Sequence, residues 1–251
     1  MGRKHSGSNE TRAKLASGLS EWHGYSLRRL SRTELPHDTV ELARFLIGKA
    51  VVHDLPCGRV SGRIVETEAY PPGDPAGHHY RGPTPRIRSM YLHHGHAYVF
   101  FNYGAHFMLN VSSEPHGIAG GILIRALEPL EGIDLMQHHR RTTRLLDLAR
   151  GPGRLAAALQ INHQHDGLDL CARGPLWLGE MIRSEGAARQ LEIGTTVRIG
   201  ISRAANRRLR FYERRNPFVS GPKHLLLSPP TRLSDSDPSP ARSSGKRNTQ
   251  H

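Results

Sequence analysis

A strand-like run at residues 59–70 constrains the fold more than any other feature of the chain, and it ends in the sequence Ile-Val-Glu-Thr-Glu-Ala-Tyr. Successive side chains of a β-strand point to opposite faces, so Glu66, Glu68 and Tyr70 are predicted to share one face. The opposite face is predicted to carry Val65, Thr67 and Ala69. Two carboxylates beside an aromatic ring fit either a solvated surface, where acids balance nearby arginines, or the wall of a functional site. The spacing alone favours the solvated surface.

Further strand-like and helical runs surround this segment. Strands are predicted at 50–53, 97–103, 106–111, 121–126, 196–201 and 210–212, and helices at 39–47, 129–140 and 154–160. The first helix has a good N-cap in Asp38 and a good stop in Gly48. Because strands and helices interleave without a repeat, we expect one α+β domain. Its sheet should be curved and mainly antiparallel, with flanking helices and a protruding β-hairpin.

The two ends of the chain are polar and lack hydrophobic periodicity. Residues 1–25 are predicted to be a disordered basic segment, 26–223 the folded domain, and 224–251 a disordered tail rich in Pro, Ser and Arg. The chain has 35 Lys and Arg against 22 Asp and Glu, a net charge of +13 to which each end contributes only +2. The central body is therefore itself basic.

This excess of positive charge predicts a polyanionic partner, either nucleic acid or an anionic membrane surface. No apolar run is long enough to span a bilayer, no signal-peptide core opens the chain, and neither end forms a long basic amphipathic helix. We therefore expect nucleic acid as the partner and no membrane association.

Residues 97–111 contain two aromatic-rich strands that flank Asn102, Tyr103 and Gly104, which predicts a hairpin with Tyr103 beside its tip. An aromatic side chain at an exposed tip could wedge into a base stack from the minor groove. Packing of Tyr103 against the core explains the spacing equally well.

The chain has 17 histidines, some of them clustered at 93–96, 138–139 and 163–165, which raises the alternative of a metal site. The spacing matches no helical His-Glu-x-x-His pair, and the two cysteines are too few for a zinc finger or a disulfide framework. We expect no metal and no cofactor. The histidines are predicted to add pH-dependent positive charge near the polyanion.

Several blocks of sequence, in order, resemble the alkyladenine (3-methyladenine) DNA glycosylase family. They are residues 64–70, Asp-Pro-Ala-Gly-His at 74–78, Tyr-Arg-Gly at 80–82, Thr-Pro-Arg at 84–86, Tyr-Gly at 103–104, Leu-Asn-Val at 109–111, Arg-Ala-Leu-Glu-Pro at 125–129, Gly-Pro-Gly-Arg-Leu at 151–155, Val-Arg-Ile-Gly at 197–200 and Arg-Phe-Tyr at 210–212. Together the blocks cover roughly residues 35–223. Several blocks in register are far more specific than any single motif.

The resemblance implies a pocket for a damaged purine that has been flipped out of duplex DNA. Tyr70 would form one wall, and His78 with Phe100 the other, so that electron-rich rings bind a positively charged alkylated base. Some relatives have Tyr where this chain has Phe100, so a hydroxyl is lost and the range of lesions could differ. Asn110 would crowd the exocyclic amine of guanine and discourage attack on the normal base.

The resemblance also assigns the chemistry. Glu68 would deprotonate a water at the anomeric carbon and stabilise an oxocarbenium-like transition state, whereas Glu66 would be structural. Tyr103 would fill the gap left by the flipped base, and Arg125 would hold a backbone phosphate.

The expected enzyme is a monofunctional glycosylase that acts as a monomer on double-stranded DNA in the cytoplasm, near the nucleoid. Bifunctional glycosylases use an amine as nucleophile, and the only lysines of the body, Lys49 and Lys223, lie outside the matching blocks. The alternatives are a catalytically inactive nucleic-acid-binding module of the same fold and an RNA-directed enzyme. No stacking sheet or other RNA motif supports the latter.

Overall fold

A computed structural model describes residues 25–102, 104–183 and 191–222 of the chain, and predictions for the remaining residues lie outside this part. The described strands are β1 (Tyr25–Arg29), β2 (Ala50–Leu55), β3 (Gly58–Tyr70), β4 (Ala97–Asn102), β5 (His106–Ser112), β6 (Gly121–Glu131), β7 (Leu176–Arg183), β8 (Ile193–Thr196) and β9 (Arg210–Glu213). They form one sheet in the order β1-β7-β2-β3-β6-β5-β4, and β9 pairs with β3 and β8. Every pairing between these strands is antiparallel.

The helices flank the sheet, which confirms the predicted single α+β domain. They are α1 (Thr39–Phe45), α2 (Ile133–Arg140) and α3 (Pro152–Ala158), with short 3₁₀ turns at Arg32–Glu34, His78–Arg81, Pro85–Tyr91, Leu145–Asp147 and His163–His165. The side chain of Asp38 accepts hydrogen bonds from the amides of Val40 and Glu41 at the start of α1. Gly48 has a φ of 87°, a left-handed conformation that suits the end of a helix.

Strand β3 is the centre of the sheet. One of its edges pairs with β6 along most of its length, and the other pairs first with β2 and then with β9. The main hydrophobic core covers one face of β3, where Ile64 and Ala69 pack with residues of α1 and α3. The hydroxyl of Thr67 also donates to the carbonyl of Ala43 in α1, at 2.9 Å. The opposite face of β3 carries the carboxylates Glu66 and Glu68 beside a smaller apolar cluster that contains Val65.

Several predicted elements differ from the observed ones in their bounds. The helix predicted at 129–140 begins only at Ile133, because residues 129–131 extend β6 against Ser61 and Gly62. The strand predicted at 196–201 is β8, which ends at Thr196, so the segment 197–200 lies outside the sheet. Strands β1 and β7 are not among the predicted elements. In the described ranges, no helix is long and apolar enough to cross a membrane.

Candidate active site

Two opposed bulges shape the centre of the sheet. The register between β3 and β6 shifts on both sides of Glu66, so that Val65 in β3 and Arg125 in β6 have no partner in the opposite strand. A bulge bends its strand and can redirect a side chain. Val65 therefore packs against Tyr212, Phe218 and Val219, apart from the core that contains Ala69. The prediction that Val65 shares a face with Thr67 and Ala69 is wrong, because strict alternation breaks at the bulge.

Glu68 is fully buried, which excludes the solvated-surface interpretation. Its Oε1 accepts a hydrogen bond of 2.7 Å from the backbone amide of Ile199 and lies 3.1 Å from Nη1 of Arg125. Its Oε2 accepts a hydrogen bond of 2.9 Å from the hydroxyl of Tyr70. Burial raises the pKa of Glu68, against the lowering influence of Arg125, the Ile199 amide and Tyr70. The result is an oriented carboxylate with a strengthened affinity for a proton.

Glu66, also fully buried, has a different set of partners. Its Oε1 lies 2.7 Å from Nε of Arg125 and 2.6 Å from Nε of Arg210. Its Oε2 accepts a 2.6 Å hydrogen bond from the amide of Ser220. Glu66 thus joins β3, β6, β9 and the segment after β9, which fits a structural role.

The ring of Tyr70 forms one wall of a cavity next to Glu68. The guanidinium of Arg198 lies 4.6 Å from the centre of this ring. Burial, together with the adjacent Glu68, holds the pKa of Tyr70 far above its ordinary value, so its hydroxyl keeps its proton as a donor. The aromatic wall and the carboxylate are therefore connected by one hydrogen bond.

Three further rings lie close together around the same cavity. His78 packs edge-on against Phe100 with ring centres 4.5 Å apart, and Tyr98 stacks on Phe100 at 5.3 Å. Nδ1 of His78 lies 2.8 Å from the hydroxyl of Tyr98. The side chain of His78 is exposed toward the cavity, yet the protein around it lowers its pKa by desolvation. This lowering favours the uncharged form of the imidazole near neutral pH.

The hairpin of β4 and β5 contributes Asn110, which is nearly buried and donates from Nδ2 to the carbonyl of Tyr98 at 3.1 Å. Strand β6 pairs with β5 only over 110–112, so the outer part of the hairpin extends past β6. The predicted tip residue Tyr103 lies outside the described residues, and its two interpretations stay open.

The cavity bounded by these groups has a volume of about 610 Å³, within the usual range for small-ligand sites. Its lining includes Tyr70, His78, Tyr98, Phe100, Met108, Asn110, Leu123, Arg125 and Ile199. It can hold a flat aromatic ligand between the rings, with Glu68 behind Tyr70. Arg125 is 7 % exposed and is engaged by both carboxylates, so the predicted phosphate contact stays a prediction.

Some groups of the site are not among those that the sequence pattern predicts. The Ile199 amide, Arg198 and its partner Asp74 lie in the blocks 197–200 and 74–78, which match the family but carry no assigned role. Tyr98 supports His78 from within β4. For Ile199, Arg198 and Asp74, the position in a matching block is the only signal in the sequence, and Tyr98 lies outside these blocks. Within the described ranges, no group of three or more His, Cys, Asp or Glu side chains is arranged to hold a metal ion.

Comparison with known proteins identifies the family of the chain. Residues 33–217 match the family model described as methylpurine-DNA glycosylase. A protein of Mesorhizobium japonicum, provisionally named as a 3-methyladenine DNA glycosylase, is 61 % identical over 196 residues, which cover 78 % of this chain and 92 % of the relative. Relatives with the same provisional name from Paraburkholderia phytofirmans and Chlorobium phaeovibrioides are 51 % and 43 % identical, each over 82 % of this chain and over 95 % and 100 % of their own lengths. The chain belongs to the methylpurine-DNA glycosylase family.

Proposed function

We propose that this protein is a monofunctional DNA glycosylase that removes alkylated purines, 3-methyladenine among them, from double-stranded DNA. The observation that carries the proposal is the buried carboxylate of Glu68, held by three donors next to a cavity with aromatic walls. The abasic site that it leaves would begin base-excision repair. The provisional names of the relatives support the same activity.

Glu68 acts as the general base in this proposal. The oxygen of a water forms a bond to C1′ of the deoxyribose while the bond between C1′ and the purine nitrogen breaks. The proton of the water goes to Glu68, and the electron pair of the broken bond goes to the base. A cationic alkylated base leaves as a neutral molecule, so it needs no separate proton donor.

The walls of the cavity select the base. A purine that carries positive charge would lie between Tyr70 and the pair of His78 and Phe100, whose π faces attract a cation. The lowered pKa of His78 favours its uncharged form, which does not repel the cation. Asn110 is proposed to crowd the exocyclic amine of an unmodified guanine.

A base inside a duplex cannot reach this cavity, so the target nucleotide must be flipped out. Tyr103 is proposed to fill the gap in the stack, since in the sequence it follows the last residue of β4 and precedes β5. Arg125 is proposed to contact a phosphate near the flipped nucleotide. We propose that the enzyme acts as a monomer with the chromosomal DNA of the nucleoid, because one chain supplies all these groups.

The test compares wild type with Glu68→Gln on duplex DNA that contains 3-methyladenine. Wild type should release the free base, and Glu68→Gln should be slower by about 10²- to 10⁴-fold because it lacks the base. Glu41→Gln, which changes an exposed carboxylate of α1, is the matched control and should match wild type. If wild type binds the DNA tightly without releasing base, the protein is an inactive binding module.

The same reaction tests whether the enzyme is monofunctional. The strand should break only after alkali treatment, and borohydride should trap no covalent complex. Lys49 supports this expectation, since its Nζ lies 2.6 Å from Glu180 and 4.6 Å from the ring centre of Phe45. Strand cleavage by the pure protein, with a trapped complex, would contradict it.

A further inference from the structure

A buried ion pair lies directly behind the proposed active site. The side chains of Arg198 and Asp74 are both fully buried, with Nη1 of Arg198 2.6 Å from Oδ2 of Asp74 and Nη2 3.1 Å from Oδ1. This two-armed geometry orients the guanidinium as well as holding it. Nη1 also donates to the carbonyl of Ala69 at 2.9 Å. One side chain thus connects the segment after β8 to the end of β3 and to the loop that follows it.

Arg198 lies next to two of the groups that donate to Glu68. Its guanidinium lies 4.6 Å from the centre of the ring of Tyr70, whose hydroxyl donates to Glu68. The next residue in the chain, Ile199, supplies the amide that donates to Glu68. The segment 197–200 lies outside the sheet, so strand pairing does not set the direction of this amide. The contacts of Arg198 can set it.

We propose that Arg198, locked by Asp74, is a positioning residue that places the Ile199 amide and the Tyr70 ring and thereby orients Glu68 for proton abstraction. The proposal rests on the proposed function. Arg198 does not touch the substrate; it acts through the amide of its neighbour and through the ring it packs against. Because both donors favour the charged form of Glu68, the same contacts counter the rise in its pKa that burial causes.

The Asp74→Asn variant distinguishes positioning from a purely electrostatic effect, because the two predict opposite changes in the pKa of Glu68. Asparagine keeps the shape but has one acceptor oxygen, so the two-armed pairing is lost. If only charge mattered, removal of the negative charge would lower the pKa of Glu68. Loss of positioning would weaken the hydrogen bonds donated to Glu68 and would therefore raise its pKa. We expect the acid limb of the base-release profile to move to higher pH and the plateau rate to fall by about tenfold.

Arg198→Lys and Arg198→Met extend the test. Lysine keeps the positive charge but lacks the two-armed guanidinium. The plateau rate of Arg198→Lys should therefore lie between those of wild type and Arg198→Met. Arg207→Met is the matched control, since Nη1 of Arg207 lies 3.5 Å from the same Oδ2 of Asp74 but its side chain is 46 % exposed. Its acid limb should coincide with that of wild type. Thermal unfolding of each variant identifies the temperature at which all are folded, and Asp74→Asn supplies the result if an Arg198 variant does not fold.

A carbon NMR titration of Glu68, assigned with Glu68→Gln, measures its pKa without DNA. The measurement therefore tests the positioning role of Arg198 separately from the proposed function, which fails only if wild type releases no base. A raised Glu68 pKa in Asp74→Asn with a slower release supports the lock. An unchanged or lowered pKa, with a plateau rate within about twofold of wild type, overturns it and leaves the pair a purely structural contact.

Discussion

At the scale of single residues, the hydroxyl of Tyr70 performs a task separate from that of its ring. The ring forms a wall of the cavity, while the hydroxyl donates to Oε2 of Glu68 at 2.9 Å. Burial raises the pKa of Glu68, and this hydrogen bond partly offsets that rise by stabilising the charged form. Since the proposed general base must be deprotonated, we expect the hydroxyl to extend the pH range of base release toward lower pH.

Tyr70→Phe should therefore move the acid limb of base release to higher pH. The proposed activity depends on ionised Glu68 and is lost as the pH falls through the pKa of this residue. A further rise in that pKa therefore raises the lowest pH at which the variant releases base. At the low-pH end of the profile, the variant should release base roughly tenfold more slowly than wild type. At high pH the two rates should converge, because the variant keeps the ring. Single-turnover base release across pH measures both limits.

Tyr25→Phe, at the distant edge strand β1, is the control for the loss of a phenol and should leave the profile unchanged. A Tyr70→Phe profile that falls uniformly at every pH would instead assign the hydroxyl to substrate binding.

The single residues of the site differ in how far the sequence could predict them. Tyr70, His78 and Asn110 are side chains in recognisable blocks and Phe100 lies in an aromatic-rich predicted strand, and the structure brings all four to the cavity beside Glu68. The Ile199 amide could not be predicted, because any residue carries an amide and only the path of the chain gives it a direction. The engagement of Arg125 by two carboxylates likewise depends on distances between strands.

At the scale of elements, hydrophobic periodicity predicts most of the sheet and fails where pairing breaks the rule. The alternation in β3 places Glu66 and Glu68 together correctly, but the bulge moves Val65 to their side of the sheet. A bulge is set by the strand opposite, so it leaves no period in the sequence of its own strand. The predicted helix at 129–140 fails at its start for the same reason, since β6 continues against β3.

Helix α1 offers a test of an element whose start the sequence does predict. The carboxylate of Asp38 accepts the amides of Val40 and Glu41 at 2.8 and 2.9 Å. Asp38→Ala should lower the free energy of unfolding by about 1 kcal/mol, because two amides of the first turn lose their partner. Asp38→Asn keeps a capping oxygen and should lose less. Urea unfolding with matched slopes measures both.

Base release at 25 °C should remain close to wild type in both Asp38 variants, since α1 supports β3 from the core side through the contact of Thr67 with Ala43. Equal losses of stability in the two variants would show that the side chain does not cap the helix.

At the scale of the whole molecule, the net charge of +13 can act on a polyanion only through basic side chains that are exposed at the surface. Many arginines are engaged internally: Arg125, Arg198 and Arg210 are all buried against carboxylates. Of these three, Arg198 and Arg210 are not available to a polyanion, whereas Arg125 also lines the cavity and is the one proposed to contact a phosphate. Arg81 and Arg203, in contrast, are exposed at the lining of the cavity, and in the described part of the chain neither has a carboxylate partner. Phosphates beside a flipped nucleotide would meet these two first.

Replacement of both Arg81 and Arg203 by Gln should therefore weaken DNA binding and reduce its dependence on salt. Each lost phosphate contact lowers the slope of log K against log salt by about one, so the double variant should lose about two. The matched control replaces Arg28 and Arg59, which are similarly exposed but paired, Arg28 with Glu34 and Glu180 and Arg59 with Asp54. Binding to abasic duplex DNA across a salt series gives both slopes. If the paired arginines reduce the slope as much as the cavity arginines, the positive charge acts as a diffuse field around the whole protein, and no pair of arginines at the cavity directs the phosphates.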